Sequence, residues 1–117
     1  MINLRLPWPP TVNTYYAVYR GRKVLSVRGR HYKKNGAALL MQQGAPQMLE
    51  SRLEVNIDAT PPDRRKRDLD NIVKPLLDTL QDYGMFDDEQ IDILRIRRRE
   101  IKKPGHVRVY ITEIEQG

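Results

Sequence analysis

The sequence predicts an α+β fold: a small mixed or antiparallel sheet with two helices, in the order β-β-β-α-β-α-β-β, as one domain spanning residues 1–117. Three observations predict it. Short runs of alternating apolar and polar residues recur along the chain, and a period of two marks a half-buried strand. Only two stretches carry helical spacing instead. Short turns join several of the strands directly, which argues for segregated strands and helices and against a doubly wound parallel sheet. At 117 residues there is room for one domain of ordinary size and no second.

Ile2, Leu4 and Leu6 alternate with Asn3 and Arg5, which makes a first strand. Pro7-Trp8-Pro9-Pro10 ends it, because proline cannot donate to a ladder. Thr14 to Tyr19 and Lys23 to Val27 flank Arg20-Gly21-Arg22 and read as a hairpin. Ser26 can cap a helix that runs to about Gln43 and stops at Gly44. Gly29 and Gly36 inside it each cost about 1 kcal/mol relative to Ala. Leu53, Val55, Ile57 and Ala59 alternate in a further strand. Ile72, Val73, Leu76, Leu77, Leu80 and Tyr83 then fall at helical spacing, with Gly84 placed as a left-handed stop and Pro75 near the start, where a missing N–H costs little. Met85 to Gln90 reads as a loop. Ile91 to Ile101 reads as a strand whose alternation slips near Ile93-Leu94, as at a bulge. Pro104-Gly105 is a turn, and Val107, Val109 and Ile111 form the last strand.

The formal net charge is +6, from 21 Lys and Arg against 15 Asp and Glu. Its distribution says more than its sum. The first 49 residues hold eight basic residues and no acidic one, while twelve of the 15 acids lie between Glu50 and Asp92. A basic surface is the electrostatic footprint of a polyanion binder, though it also serves solubility. The segregated acids need a separate reason. There are no cysteines, so disulfides and cysteine-bound zinc are excluded, which fits a reducing cytoplasm. Two histidines cannot make a three-histidine centre, which leaves carboxylate oxygens as the metal donors. No run approaches the ~20 apolar residues of a membrane span, and the opening residues lack the blocks of a signal peptide. The expectation is a cytoplasmic protein without membrane contact.

Asp68 and Asp70 stand two apart just before the second helix. In extended backbone such residues point to the same side, so both carboxylates can face one point. Mg²⁺ takes a few hard oxygens and leaves the rest of its shell to water and substrate phosphate. The structural alternative is that Asp70 or Asn71 caps the helix and Asp68 pairs with a nearby arginine. Four consecutive cations, Arg64-Arg65-Lys66-Arg67, precede Asp68 and form a natural phosphate grip. Lys74 lies one helical turn after Asp70, and Asp78 one turn further on, where an exposed pair with Lys74 is its simplest role. Asp87-Asp88-Glu89 follows the helix as a third acidic group, and if the helix folds back on the sheet that loop need not lie near Asp70. Carboxylates and a lysine beside a basic strip suggest metal-assisted phosphodiester hydrolysis. A cysteine nucleophile is impossible, and no P-loop is present. Arg95, Arg97 and Arg99 with Lys102 and Lys103 either grip a duplex or guard an edge strand. Tyr15, Tyr16 and Tyr19 either stack on unpaired bases or pack, and Trp8 reads as a plug in a core or an interface.

Arg67-Asp68-Leu69-Asp70-Asn71 with Lys74, Asp78, Gly84 and Asp87-Asp88-x-Gln90-Ile91 resembles the RusA family of Holliday-junction resolvases. The opening Leu6-Pro7-Trp8-Pro9-Pro10-x-x-Asn13-x-Tyr15-Tyr16 and the closing Ile111-Thr112-Glu113 are similar to that family too. The resemblance covers nearly the whole chain. It implies a RusA-like fold and a small, homodimeric, Mg²⁺-dependent endonuclease that resolves four-way junction DNA, with Mn²⁺ able to substitute and no small-molecule cofactor. It implies Asp68, Asp70 and Asp88 as catalytic and metal-holding carboxylates, Asp87 as a possible substitute for Asp88, and Lys74 as essential beside them. It assigns Arg64, Arg65, Lys66, Arg67 and Asn13 to DNA contact. A junction has near two-fold symmetry and needs two nicks, which suits an isologous dimer with one site per chain. The alternatives are a nuclease for other branched DNA or for RNA, and a non-catalytic junction-binding accessory protein.

Overall fold

The structure is a computed structural model and describes residues 1–114. Its main sheet has four strands: β1 (Ile2–Pro7), β4 (Arg52–Thr60), β5 (Ile91–Arg98) and β6 (His106–Ile114), in the order β1-β6-β4-β5. β6 runs antiparallel to β1 and β4, and β4 runs parallel to β5, so the sheet is mixed. Two further strands, β2 (Tyr16–Tyr19) and β3 (Arg22–Leu25), form a separate hairpin. The fold is α+β, as the periodicities predict.

One sheet face carries Leu4, Leu6, Leu53, Val55, Ile57, Val107, Val109 and Ile111, all buried. Against it pack Leu40 of α2 (Val27–Gln42) and Ile72, Leu76, Leu77 and Leu80 of α3 (Asp70–Tyr83). The two helical glycines have a use that spacing alone does not reveal. A Cβ on Gly29 would run into the backbone carbonyl of Tyr15, and one on Gly36 would meet the Thr79 methyl at 2.7 Å. Their propensity cost is offset by letting α2 lie close to its neighbours.

Several boundaries differ from the sequence reading. Thr14 and Tyr15 belong to a single helical turn, α1 (Val12–Tyr15), so the hairpin is shorter than predicted. Its two-residue turn puts both Arg20 and Gly21 at positive φ, as the twist of a tight hairpin requires. Ser26 caps α2 as expected, accepting a 3.0 Å hydrogen bond from the Gly29 N–H. α3 begins at Asp70, so Pro75 sits more than a turn inside it and the Asn71 carbonyl lacks its helical donor. The loop before β5 contains a short 3-10 turn at Asp88–Gln90. The slip in β5 falls at Asp92, one residue earlier than expected, and the strand ends at Arg98 instead of Ile101. Asp92 leaves the ladder because Arg52 takes it, at 2.6 Å, together with Glu89 at 2.9 Å.

Candidate active site

Parallel pairing of β4 and β5 makes α3 return the chain across the sheet, over about 21 Å for its 14 residues. Asp68 and Asp70 stand where α3 begins, and Asp88 comes after it ends. The two sets therefore start far apart, and the loop must climb back along the helix to bring them near each other. It does so at Gln81, whose side-chain carbonyl accepts the Asp88 N–H at 2.6 Å.

Lys74, on the exposed side of α3, spans part of the remaining gap. Its Nζ lies 2.9 Å from Asp78 Oδ1 and 3.9 Å from Asp88 Oδ2. Asp78 Oδ2 accepts a 3.0 Å hydrogen bond from the Tyr16 hydroxyl. The hydrogen bond to Asp78 raises the Lys74 pKa and so keeps the ammonium charged. Asp78 is thus half-buried between two donors, and its role exceeds the exposed pair predicted for it. Tyr16 gave no local signal, because it stands 62 residues before its partner.

Asp87 and Asp88 are adjacent and face different tasks. The Asp87 carboxylate caps the 3-10 turn, accepting the Glu89 N–H at 3.1 Å, while Gln90 Oε1 accepts the Asp87 N–H at 2.7 Å. Asp88 turns one oxygen toward Lys74, and its other, Oδ1, is buried with no hydrogen-bond partner. Burial raises the Asp88 pKa, against the pull of Lys74. A buried, unpartnered carboxylate oxygen is costly unless a cation or water satisfies it.

Asp68 and Asp70 are exposed, and among the described residues neither side chain makes an ion pair or hydrogen bond. The capping alternative does not hold: the residue before α3 is Leu69, in helical conformation, and no side chain caps the helix. Both carboxylates are left with free lone pairs. Among the described residues no three Asp, Glu or His side chains converge closely enough to form a finished ligand set. The donor chemistry still suits Mg²⁺, which binds through one or two carboxylates and keeps several waters.

The basic loop beside them divides in the same way. Asp63 accepts from the Arg65 N–H at 2.9 Å and from Arg67 Nη1 at 2.6 Å, which holds its carboxyl down at about 2. Arg98 donates to the Arg67 carbonyl at 2.7 Å, tying the loop to the end of β5. Arg67 also lies 5.8 Å from the Trp8 ring centre and is half-buried. Arg64, Arg65 and Lys66 remain exposed around a depression of about 380 Å³ that Asp68 also lines. Asn13 is exposed on α1, which packs against α3. Tyr15 is fully buried, Tyr16 partly, and Tyr19 is exposed. On the sheet's outer face, Arg95 and Arg97 are neutralised by Glu54 at 3.2 Å and Asp58 at 2.6 Å. That pairing accounts for several of the segregated acids.

Residues 7–112 match the protein family described as Endodeoxyribonuclease RusA. The chain is 39% identical over 111 residues to the crossover junction endodeoxyribonuclease of Enterobacteria phage HK97, covering 94% of this chain and 92% of that one. It is 35% identical over 113 residues to the protein of the same name from Escherichia coli strain K12, covering 96% and 94%. The counterpart in Enterobacteria phage 82 is likewise 35% identical over 113 residues. A match that runs through both the carboxylate-lysine cluster and the proline-tryptophan opening puts this chain in the RusA family of endodeoxyribonucleases.

Proposed function

We propose that the protein is a Mg²⁺-dependent endonuclease that resolves four-way DNA junctions by paired symmetric nicks, acting as a homodimer in the cytoplasm of a bacterial host. The observation that carries this reading is the charged Lys74 beside Asp88, whose buried Oδ1 lacks a partner, on the helix that begins with the unpaired Asp70. Asp68, Asp70 and Asp88 would hold the ion. When bound, it polarises the scissile phosphate and lowers the pKa of the attacking water.

The chain's own residues do the remaining work. Arg64, Arg65 and Lys66 draw the phosphate backbone to the carboxylates. Arg67 shapes the loop through Asp63 and keeps its remaining donors toward DNA. Lys74, fixed by Asp78, opposes the negative charge that builds on the phosphoryl oxygens as water attacks phosphorus and a P–O ester bond breaks. The attacking water gives up a proton to solvent, and the departing oxygen takes one up from it. A junction needs two such events, and two chains carry +12 in all, suited to a branched polyanion.

The test is incubation with a synthetic four-way junction and a matched linear duplex, in Mg²⁺ or in EDTA. The junction should be cut in Mg²⁺ and in part with Mn²⁺. In EDTA it should be bound and left intact. Full cleavage in EDTA would overturn the metal role, and equal cutting of the duplex would overturn junction selectivity.

A further inference from the structure

A cavity of about 840 Å³ opens between the proline-tryptophan segment and α2 from Arg28 to Ala38, and none of the site carboxylates lines it. Its walls are flat and stiff. Pro9 and Pro10 have restricted backbones. The Tyr32 ring is fixed by its hydroxyl, which donates to the Pro7 carbonyl at 2.7 Å. Trp8 has the Arg67 guanidinium 5.8 Å from its ring centre. Arg28 and Lys34 stand exposed at the rim, and no acidic residue lines the cavity. Among the described residues neither cation has an ion-pair partner.

Aromatic and proline walls under unpaired cations suit one kind of ligand: a flat ring with a negative charge attached. The volume lies in the range of small-ligand sites. Position supplies the second argument. Arg67, which follows Arg64, Arg65 and Lys66 in the basic loop, lies 5.8 Å from the Trp8 ring centre, so the cavity adjoins that loop. An intact duplex keeps every base stacked on both faces, whereas stacking is interrupted at a branch point, so a base there is turned out at lower cost.

We propose that this cavity receives one unstacked nucleobase of branched DNA, with the adjoining phosphate on Arg28 and Lys34, and so recognises branching instead of sequence. The inference rests on the DNA-cleaving reading above and adds a site to it. Base-on-aromatic stacking tolerates any base, which suits a reader of structure.

Trp8 is the only tryptophan in the chain, so its fluorescence reports on this cavity. The full-length protein is titrated in EDTA with a four-way junction, with the same junction carrying abasic sites at the branch point, and with a matched duplex. The intact junction should quench Trp8, and the other two should quench it far less. Ala38→Glu puts a carboxylate into the cavity from an exposed helical position. It should weaken junction binding about tenfold or more, the worth of one stacked base, and leave duplex binding unchanged. Met48→Glu, the same charge change at an exposed site elsewhere, should bind as wild type.

Equal quenching by duplex or abasic junction would overturn the base site in favour of plain backbone contact. Junction binding without quenching, and with Ala38→Glu unchanged, would overturn the site and leave the nuclease reading intact. A Trp8 signal that changes with protein concentration alone would assign the cavity to a second copy of the chain. Failure to bind any junction would overturn the nuclease reading, and this site with it.

Discussion

Spacing and chemistry alone do not rank Asp87 and Asp88, because both are acids in the same loop and either has the chemistry of a metal ligand; the family resemblance puts Asp88 first. Hydrogen bonding separates them. Asp87 is committed to the 3-10 turn, and Asp88 holds a buried oxygen without a partner beside Lys74. Asp88→Asn should therefore slow junction cleavage at least ~100-fold, as the loss of one electrostatic element typically does. Asp87→Ala should keep most of the rate and lower stability by about 1 kcal/mol, the usual worth of a cap. Single-turnover cleavage and thermal unfolding of the two variants check this, and the reverse pattern would exchange their roles. Asp78 was visible as a helical neighbour of Lys74. Its second donor, Tyr16, was not, because contacts between distant segments leave no local pattern.

At the scale of elements, the strands and helices that cover the core were legible. β1, β4 and β6 show clean alternation since one face is buried and the other wet. The misplaced boundaries share a cause: tertiary partners settle them. Arg52 pulls Asp92 out of β5, which puts Arg95 and Arg97 on one face opposite Glu54 and Asp58. Those arginines are thereby largely neutralised, so the proposed reading gives the DNA grip to the loop before α3. Replacing Arg64, Arg65 and Lys66 together by Ala should flatten the salt dependence of junction binding, by up to ~0.9 in log–log slope per lost phosphate contact. An unchanged slope would locate the DNA surface elsewhere. The same loop carries a pH signature. The Asp63 carboxyl titrates at about 2 when folded, below its ordinary value of 3.8, so the unfolded chain binds more protons between those values. Its contribution is present above pH 4 and is lost as pH falls toward 2. Asp63→Asn should show a shallower loss of thermal stability across that window than wild type, read by circular dichroism.

The whole molecule sets acids and bases in a functional order. Residues 1–49 supply cations without acids, and the carboxylates flank α3 in sequence, with Asp88 folded back along it to Lys74. In the proposed reading, DNA approaches along the basic loop until a phosphate reaches Lys74. Without a bound cation the site carboxylates repel DNA. Asp70 tests this most directly, because it is exposed, caps nothing and makes no side-chain hydrogen bond among the described residues, so its loss should not unfold the chain. The measurement is junction binding and single-turnover cleavage of Asp70→Asn in Mg²⁺, beside wild type. The protein should bind the four-way junction as tightly as wild type or more so, with an unchanged unfolding midpoint to within the ~0.3–1 kcal/mol of a first-turn charge, and cut it at least ~100-fold more slowly. Cleavage at the wild-type rate would contradict the assignment of this carboxylate to the reaction.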